Sequence, residues 1–354
     1  MRILVAQSSF LGDVVLSTPV FAALRREFPQ ARLTALVRPE AAGVIEAHPH
    51  LDAVLTDDKR GRDGGLGSWR LVRRLRREGF DIALALHKSL RTAWVLAAAG
   101  IECRVGFRQS AGWLFYHRRV DRDVRLHDVE RNLSILEGLE LDPRRSFARP
   151  YVACQPEAVL RLQAGLRQRG VPPESPLVGI APGSAWATKR WSIDGYAALL
   201  LALQRDLGAI VLLLGSPADA PFAAAVQAAA GGAGINLVGQ TDLPMLVAAI
   251  DQCQVVIAND SAPVHLAVAR DTPVVAIFGP TVPSQGFSPY TSRARIVEKD
   301  LPCRPCGRHG GVRCPLGTHA CMKDIGVADV QRAVADLLVQ CAASRGPARS
   351  VAVH

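Results

Sequence analysis

Short apolar runs alternate with amphipathic stretches along the first half of the chain. The apolar runs predict five β-strands: Arg2–Ala6, Leu33–Val37, Ala53–Leu55, Ile82–Leu86 and Arg104–Gly106. The stretches between them have helical spacing and predict helices over Asp13–Phe28, Glu40–Ala47, Leu66–Glu78 and Leu90–Ala99. Strands that alternate with helices in this way are typical of a parallel β-sheet covered by helices.

The second half repeats the pattern. Its apolar runs predict strands over Leu177–Ala181, Ile210–Leu214, Asn236–Val238, Val255–Ala258 and Val274–Phe278. Helices are predicted over Ile193–Asp206, Ala218–Ala230, Leu243–Cys253 and Ala262–Arg270. In a chain of 354 residues this repetition predicts two similar α/β domains with a cleft between them. Ligands of such folds bind at the carboxyl ends of the strands.

Proline density marks the boundary between the two halves. Six prolines fall within residues 142–176, which indicates a linker that contains a helix near Glu157–Arg169. We therefore expect a first domain over 1–150, a linker over 151–176 and a second domain over 177–325. A final helix is expected within 326–343 and a frayed tail over 344–354.

The composition is that of an ordinary globular protein, with 49% hydrophobic and 21% charged residues, which argues against disorder. No apolar run approaches the roughly 18–20 residues that cross a bilayer. The apolar stretch after Arg2 is only Ile3–Ala6, too short for a signal peptide, and Asp13 falls where the apolar region of a signal peptide would continue. We expect a cytoplasmic protein.

Positive charge is concentrated in the first half. The net charge is +10, of which +7 lies in residues 1–150. Two arginine runs carry the excess: Arg70, Arg73, Arg74, Arg76 and Arg77, then Arg118, Arg119, Arg122 and Arg125. Nucleic acid is a poor candidate partner, because aromatic residues are only 5% and do not interleave with these runs. An anionic substrate, a membrane surface or a solvated helix face remain as interpretations.

Neither the G-x-G-x-x-G fingerprint nor the P-loop motif is present, which disfavours a dehydrogenase or a P-loop kinase. The first candidate site is the loop Ser8–Asp13, directly after the first predicted strand. Asp13 opens the next predicted helix. It is either an N-cap or a general base held at the mouth of the cleft.

The second candidate loop, Ala181–Ser192, follows the first strand of the second half. Ser184 and Thr188 supply hydroxyls, and Lys189, one of only five lysines, supplies a cation. Such a loop can bind a diphosphate. The alternative is a polar loop in which Trp186 and Trp191 are packing anchors.

The third candidate loop, Ala258–Leu266, leads from a strand into a helix with Pro263 near its first turn. The free N–H groups and partial positive charge of a helix N-terminus suit nucleotide phosphates. Asp260 is better suited to sugar hydroxyls. His265 is equally consistent with a structural role.

Together these motifs resemble the lipopolysaccharide heptosyltransferases of glycosyltransferase family 9. The resemblance covers residues 1 to about 340 and rests on Ser8-Ser9 with Gly12-Asp13, Pro182-Gly183-Ser184 with Thr188-Lys189-Arg190-Trp191, Asn259-Asp260-Ser261 with His265-Leu266-Ala267, and Thr272–Thr281. Three further stretches fit, His87–Arg91, Arg104–Phe107 and His127–Asn132. Ala262 departs from the family pattern, which usually has glycine there.

The resemblance implies a GT-B fold, in which two Rossmann-like, doubly wound parallel-sheet domains face a cleft. It also implies transfer with inversion and no required cofactor or metal. The donor would be ADP-heptose and the acceptor Kdo–lipid A or heptosyl-Kdo–lipid A, with peripheral contact to the inner membrane. Another nucleotide sugar or acceptor of the same family is the alternative, and a non-catalytic protein that binds nucleic acid or a membrane is the remote alternative.

The resemblance also assigns residues. Asp13 would be the base that deprotonates the acceptor hydroxyl. The donor would be bound by Ser184, Thr188, Lys189, Asp260, Ser261, Ala262, Pro263 and His265. The acceptor would meet Ser9, Gly12, Lys88 and Arg91.

Four of the eight cysteines fall within 19 residues: Cys303, Cys306, Cys314 and Cys321. Four thiolates can bind Zn²⁺ in tetrahedral geometry, but a second C-x2-C pair is missing. A structural zinc site, free thiols and a loop disulfide are all consistent with this spacing.

Overall fold

The computed structural model describes residues 1–58, 64–146 and 149–344. The chain divides into two compact units, Met1–Ala153 and Cys154–His354. Each unit contains one six-stranded parallel β-sheet with helices packed against it. This is the repeated α/β architecture that the alternation of apolar runs predicts. The predicted tail lies outside the described residues from position 345 onward.

The first unit has strand order β3-β2-β1-β4-β5-β6. Its strands are β1 Arg2–Gln7, β2 Arg32–Val37, β3 Ala53–Thr56, β4 Ile82–Ala85, β5 Cys103–Phe107 and β6 Arg118–Val120. Its α-helices are α1 Leu11–Glu27, α2 Pro39–Ala42, α3 Gly64–Glu78, α4 Leu90–Ala98 and α5 Asp128–Leu133. The chain leaves the middle of the sheet in both directions from β1, so β1 and β4 form the switch point at which a doubly wound sheet binds ligands.

The second unit repeats this order as β12-β11-β10-β7-β8-β9. Its strands are β7 Leu177–Ala181, β8 Ile210–Leu213, β9 Ile235–Asn236, β10 Val255–Asn259, β11 Val274–Phe278 and β12 Ala294–Glu298. Its α-helices are α6 Pro156–Gln168, α7 Ile193–Leu207, α8 Ala220–Ala229, α9 Leu243–Gln252, α10 Ala262–Ala269, α11 Ala320–Lys323 and α12 Val327–Ser344. Here β7 and β10 form the switch point.

Burial explains why the central strands can be predicted from the sequence. Every residue of β10 and β11 is buried, as expected for parallel strands that are covered on both faces. The helices contribute one apolar stripe each. In α12, Val330, Val334 and Leu337 enter the same core as the strands, at the spacing of successive helical turns.

Of the strands and α-helices given above, four were not predicted: β6, β12, α5 and α11. Strands β6 and β12 lie at sheet edges and contain charged residues, so they lack the continuous apolar run of a central strand. Helices α5 and α11 have only six and four residues, too short to show a period. The predicted helix Glu40–Ala47 is also shorter in the structure, where α2 ends before Gly43.

The predicted linker 151–176 needs correction. From Cys154 onward this segment belongs to the second unit. Helix α6 buries Ala158, Leu162 and Leu166 and packs against α9, so it is part of that unit's core. Of the prolines in this segment, Pro156 is the first residue of the helix and the others lie outside it.

Candidate active site

The loop after β1 places Asp13 in the first turn of α1. The helix begins at Leu11, so Phe10 is the N-cap and Asp13 is the third residue of the helix, where its side chain contacts the N-cap N–H without being the N-cap itself. The Asp13 carboxylate accepts hydrogen bonds from the Phe10 backbone N–H, at 3.3 Å, and from the Ser9 hydroxyl. Gly12 is the second residue of the same helix. Ser9, Gly12 and Asp13 are therefore brought together at the carboxyl end of β1.

The environment of Asp13 favours its protonated form. Burial raises the pKa of the Asp13 carboxyl above its ordinary value, and the nearby Asp128 carboxylate raises it further. The Ser9 hydroxyl, the Phe10 N–H and the Arg122 guanidinium act in the opposite direction without cancelling the shift. A carboxylate with a raised pKa is a stronger base than an exposed aspartate and is suited to accept a proton.

A buried charge cluster lies behind Asp13. Asp128, the first residue of α5, forms ion pairs with Arg122 and with Arg131, the latter at 3.5 Å. The Asn132 amide donates to Asp128 at 3.2 Å and to the Leu16 carbonyl in α1 at 3.4 Å. This network ties α5 to the helix that carries Asp13. Sequence analysis noted the stretch His127–Asn132 but assigned none of these residues to the site.

The other two predicted acceptor residues follow β4. Lys88 lies in the β4–α4 loop, where its backbone carbonyl accepts from the Ala111 N–H at 3.4 Å. Arg91, in α4, forms a 2.6 Å ion pair with the buried Asp57 and a 3.0 Å hydrogen bond to Ser68. This loop neighbours the β1 loop, because β1 and β4 are paired.

In the second unit, Lys189 and Asp260 form a buried ion pair. The Lys189 Nζ lies 2.5 Å from Asp260 Oδ2 and 3.3 Å from the Asp260 carbonyl oxygen. The Thr281 hydroxyl donates to the same carboxylate oxygen at 2.7 Å. The pair joins the loop after β7 to the end of β10. The Asp260 carboxylate is thus held by a cation and a hydroxyl of the protein itself.

Asn259, which sequence analysis did not select, connects the two loops from behind. Its amide donates to the carbonyls of Pro182, at 2.8 Å, and Gly183, at 3.2 Å. Its Oδ1 accepts from the Trp191 backbone N–H, at 3.2 Å, and from the Tyr196 hydroxyl, at 2.9 Å. The four groups that bond to the Asn259 side chain all belong to the chain segment that follows β7, so they meet β10 at the β7–β10 switch point. Asn259 is best explained as the residue that fixes the loop conformation.

The remaining residues of the β7 loop have mixed roles. Ser184 is buried, and its carbonyl accepts two hydrogen bonds from the Arg190 guanidinium. Trp191 is fully buried against Tyr196, as the packing-anchor interpretation predicts, whereas Trp186 is only half-buried. Thr188 faces the chain segment near Gly311, with its Oγ1 at 2.9 Å from the Gly311 carbonyl oxygen.

Helix α10 begins beside this loop. Ser261 is its N-cap, and Ala262 and Pro263 form its first turn. Because Pro263 has no N–H, the backbone N–H groups at this helix start come from Ser261 and Ala262, immediately after Asp260 at the carboxyl end of β10. His265 is buried within the helix. The structure therefore brings together Lys189, Asp260 and the α10 N-terminus, and places Ser184 and Thr188 on the same loop as Lys189.

Comparison with known proteins settles the family. A family model described as glycosyltransferase family 9 (heptosyltransferase) matches residues 68–313. The chain belongs to glycosyltransferase family 9. It is thus a glycosyltransferase, and its two Rossmann-like units are those of the GT-B fold class, as the resemblance implied.

Individual relatives cover most of the chain. Lipooligosaccharide heptosyltransferase 2 of Haemophilus ducreyi is 28% identical over 318 residues, which cover 84% of this chain and 88% of that protein. Lipopolysaccharide heptosyltransferase 2 of Escherichia coli is 29% identical over 311 residues, with the same two coverages.

Solved structures of similar enzymes have the same fold as this chain. A family 9 glycosyltransferase from Veillonella parvula superposes with a TM-score of 0.87 at 25% identity, covering 96% of this chain and 97% of that one. The E. coli ADP-heptose lipopolysaccharide heptosyltransferase II superposes with a TM-score of 0.79 at 25% identity, covering 97% of this chain and all of that one. Within the described part of the chain, no helix combines the length and apolar character needed to span a membrane.

Proposed function

We propose that this family 9 enzyme transfers heptose from ADP-heptose to the Kdo/heptose inner core of lipopolysaccharide, with inversion at the anomeric carbon. The observation that carries the proposal is the Asp13 carboxylate, held at the carboxyl end of β1 with a raised pKa. The names of the similar heptosyltransferases supply the substrate class.

In the proposed mechanism Asp13 is the general base. A sugar hydroxyl has far too high a pKa to ionise fully before it reacts, so Asp13 takes its proton while the new glycosidic bond forms. Base catalysis of this kind contributes about 10²–10⁴ in rate. The hydrogen bonds from Ser9 and Phe10 fix the orientation of the carboxylate. Asp128 keeps the base strong without contacting the acceptor.

The second unit would stabilise the leaving ADP. Negative charge builds on the diphosphate as the glycosidic bond to heptose breaks, and positive groups placed there lower the barrier. Lys189 is the candidate cation on the loop after β7, and the backbone N–H groups of Ser261 and Ala262 at the start of α10 add partial positive charge. The Asp260 carboxylate pairs with Lys189 and so orients it. The role proposed for Asp260 is therefore to position this lysine, and not to hold sugar hydroxyls as expected from the sequence.

The acceptor would bind to the first unit, near Ser9, Gly12, Lys88 and Arg91. Kdo carboxylates and lipid A phosphates are anionic, which matches the +7 charge of residues 1–150. The lipid part of the acceptor places the reaction at a membrane, so we propose peripheral binding at the inner face of the cytoplasmic membrane. Nucleic acid has no role in this proposal, and the four clustered cysteines take no part in the transfer step.

The test is a transfer assay with defined substrates. The purified full chain is incubated with ADP-heptose and, separately, with Kdo–lipid A and heptosyl-Kdo–lipid A, and the lipids are analysed by mass spectrometry. We expect one acceptor to gain the mass of a single heptose. Parallel incubations with ADP-glucose and ADP-mannose test the alternative family activity. Transfer only from one of these donors, or from none, would refute the proposal.

A further inference from the structure

The cysteine-rich segment 303–321, here called the cysteine loop, is anchored to the end of β11. The Arg304 guanidinium donates to the carbonyls of Gly279 and Lys299, and to that of Thr281 at 2.8 Å. The Cys306 N–H donates to the Pro280 carbonyl at 2.8 Å. These bonds fix the start of the loop beside Thr281, which holds Asp260.

The far end of the cysteine loop contacts the donor loop. Thr188 and Gly311 exchange backbone and side-chain hydrogen bonds: the Thr188 N–H donates to the Gly311 carbonyl at 3.1 Å, and the Gly311 N–H donates to Thr188 Oγ1 at 2.8 Å. The His319 ring nitrogen Nε2 lies 2.7 Å from the Thr188 carbonyl oxygen. The cysteine loop thus supports the residue next to Lys189.

Neither regular secondary structure nor apolar packing stabilises the conformation of the cysteine loop up to His319. Residues 299–319 are all described, and they contain neither helix nor strand. Loops longer than about 12–15 residues without secondary structure are uncommon in compact domains. The loop also exposes Val312 and Leu316 instead of burying them. Apolar packing therefore does not account for a loop that makes so many defined contacts.

Its four thiols lie in one neighbourhood. All four are free. The Cys306 thiol donates to the Cys303 carbonyl at 3.3 Å, and Cys321 is buried with its sulfur beside Gly279. Cys303, Cys306 and Cys314 lie near enough to Cys321 to interact with its thiol electrostatically. A divalent cation among these sulfurs would favour their thiolate forms, which bind it.

Two further features are typical of metal-binding loops. The Cys314 sulfur accepts hydrogen bonds from the backbone N–H groups of His319, Leu316 and Gly317. Cys303 and Cys306 form a C-x2-C pair followed directly by Gly307, whose φ is +128°. As the side chains stand, no three metal-binding groups among the described residues converge well enough to hold an ion. Binding an ion there therefore requires the thiol side chains to change conformation.

We propose that Cys303, Cys306, Cys314 and Cys321 bind one divalent, thiolate-preferring metal ion, with zinc the first expectation and iron the alternative, and that this ion fixes the cysteine loop against Thr188. Binding displaces the four thiol protons to solvent and forms four metal–sulfur bonds, with no change in oxidation state. The ion is structural. Its effect on ADP binding rests on the proposed function, whereas its presence does not.

The first measurement is the zinc and iron content of the full chain, purified under reducing conditions without added metal. We expect about one ion per chain. Cys306→Ser and Cys314→Ser should each lose it, and Cys103→Ser, a half-buried cysteine of β5, should retain it. Because a variant can fail to fold, the wild type is also stripped with a chelator and refilled with Co²⁺. Tetrahedral thiolate ligation then gives intense cobalt–sulfur absorption bands.

A wild-type chain that holds no metal and gives no such bands with Co²⁺ would overturn the site. Calorimetry with ADP tests the consequence, because the stripped enzyme loses the support of Thr188 and should bind ADP roughly three- to tenfold more weakly. Equal ADP affinity with and without metal would overturn the supporting role. Failure of the metal-loaded enzyme to bind ADP at all would refute the proposed function, and the metal content would still decide the site.

Discussion

Two charged neighbours act on Asp13, the proposed general base. The Asp128 carboxylate raises the pKa of Asp13, and the Arg122 guanidinium lowers it. The base is active when deprotonated, so the transfer rate should fall as the pH drops through its raised pKa. Asp128→Asn removes a negative neighbour and should move this acidic limb to lower pH. Arg122→Gln leaves the Asp128 charge less compensated and should move it to higher pH.

The pH profile of kcat at saturating substrate measures both shifts. Opposite displacements are the signature of an electrostatic effect on Asp13, since a merely structural defect would lower the rate without moving the limb. Profiles that coincide with the wild type, or two shifts in the same direction, would show that this cluster does not tune the base. Thermal unfolding should accompany the assay, because breaking a buried ion pair costs about 3–5 kcal/mol of stability.

Lys189 supports a second prediction at the residue level. Lys189→Ala removes the cation and leaves the buried Asp260 carboxylate facing the diphosphate. ADP binding should weaken by about 1.5–3 kcal/mol, the scale of a hydrogen bond to a charged group. Lys323→Ala, which removes an exposed lysine from α11, is the control and should bind ADP normally. Unchanged ADP affinity in Lys189→Ala would place the diphosphate elsewhere.

At the level of elements, α3 presents two distinct faces. Leu71, Val72 and Leu75 are buried in the core of the first unit. The exposed arginines of the helix are Arg70, Arg73, Arg74, Arg76 and Arg77, and the Arg76 guanidinium donates to the Ala98 carbonyl at the end of α4. The inward position predicted for Leu71 and Leu75 is confirmed. Whether the arginines meet an anionic acceptor or only solvent is a testable difference.

The double variant Arg73→Glu, Arg77→Glu should raise the acceptor KM and leave ADP affinity unchanged. The wild-type acceptor KM should also rise with salt, because exposed charges are screened over about 10 Å at 0.1 M. Arg205→Glu, Arg332→Glu makes the same change in net charge on exposed arginines of the second unit and serves as the control. If both double variants behave alike, or if salt has no effect, α3 is a solvated face.

The elements that the sequence predicted share a physical property. Central strands such as β10 and β11 are buried on both faces, so their apolar runs are continuous and their positions can be predicted without tertiary information. Edge strands such as β6 and β12 depend on pairing with a neighbour for their existence. No local pattern carries that information.

The same distinction applies to the candidate site. Asp13, Lys189 and Asp260 lie in the segments that follow β1, β7 and β10, and motif spacing was enough to select them. Asp128 lies far along the chain from Asp13, and only the packing of α5 on α1 brings the two carboxylates together. The Lys189–Asp260 pair joins two loops in the same way. Partners of this kind depend on the folded sheet order, which a single sequence does not display.

For the whole molecule, the two units repeat one strand order, and the candidate residues lie at the switch point of each. In the proposed division of labour the first unit, through Asp13, activates the acceptor, and the second, through Lys189, stabilises the leaving ADP. Each function should therefore be separable by mutation. Variants in the first unit should change the transfer rate or the acceptor KM, and variants in the second should change ADP affinity.

The most direct test of this account is the rate of heptose transfer by Asp13→Asn, measured by mass spectrometry of the lipid under conditions in which the wild type is active. Asparagine keeps the size of the side chain and an oxygen that accepts from Ser9 and Phe10, but it is not a base. The account predicts a rate at least ~10²-fold below the wild type, with ADP affinity and thermal stability unchanged. A variant that transfers heptose at close to the wild-type rate would contradict it.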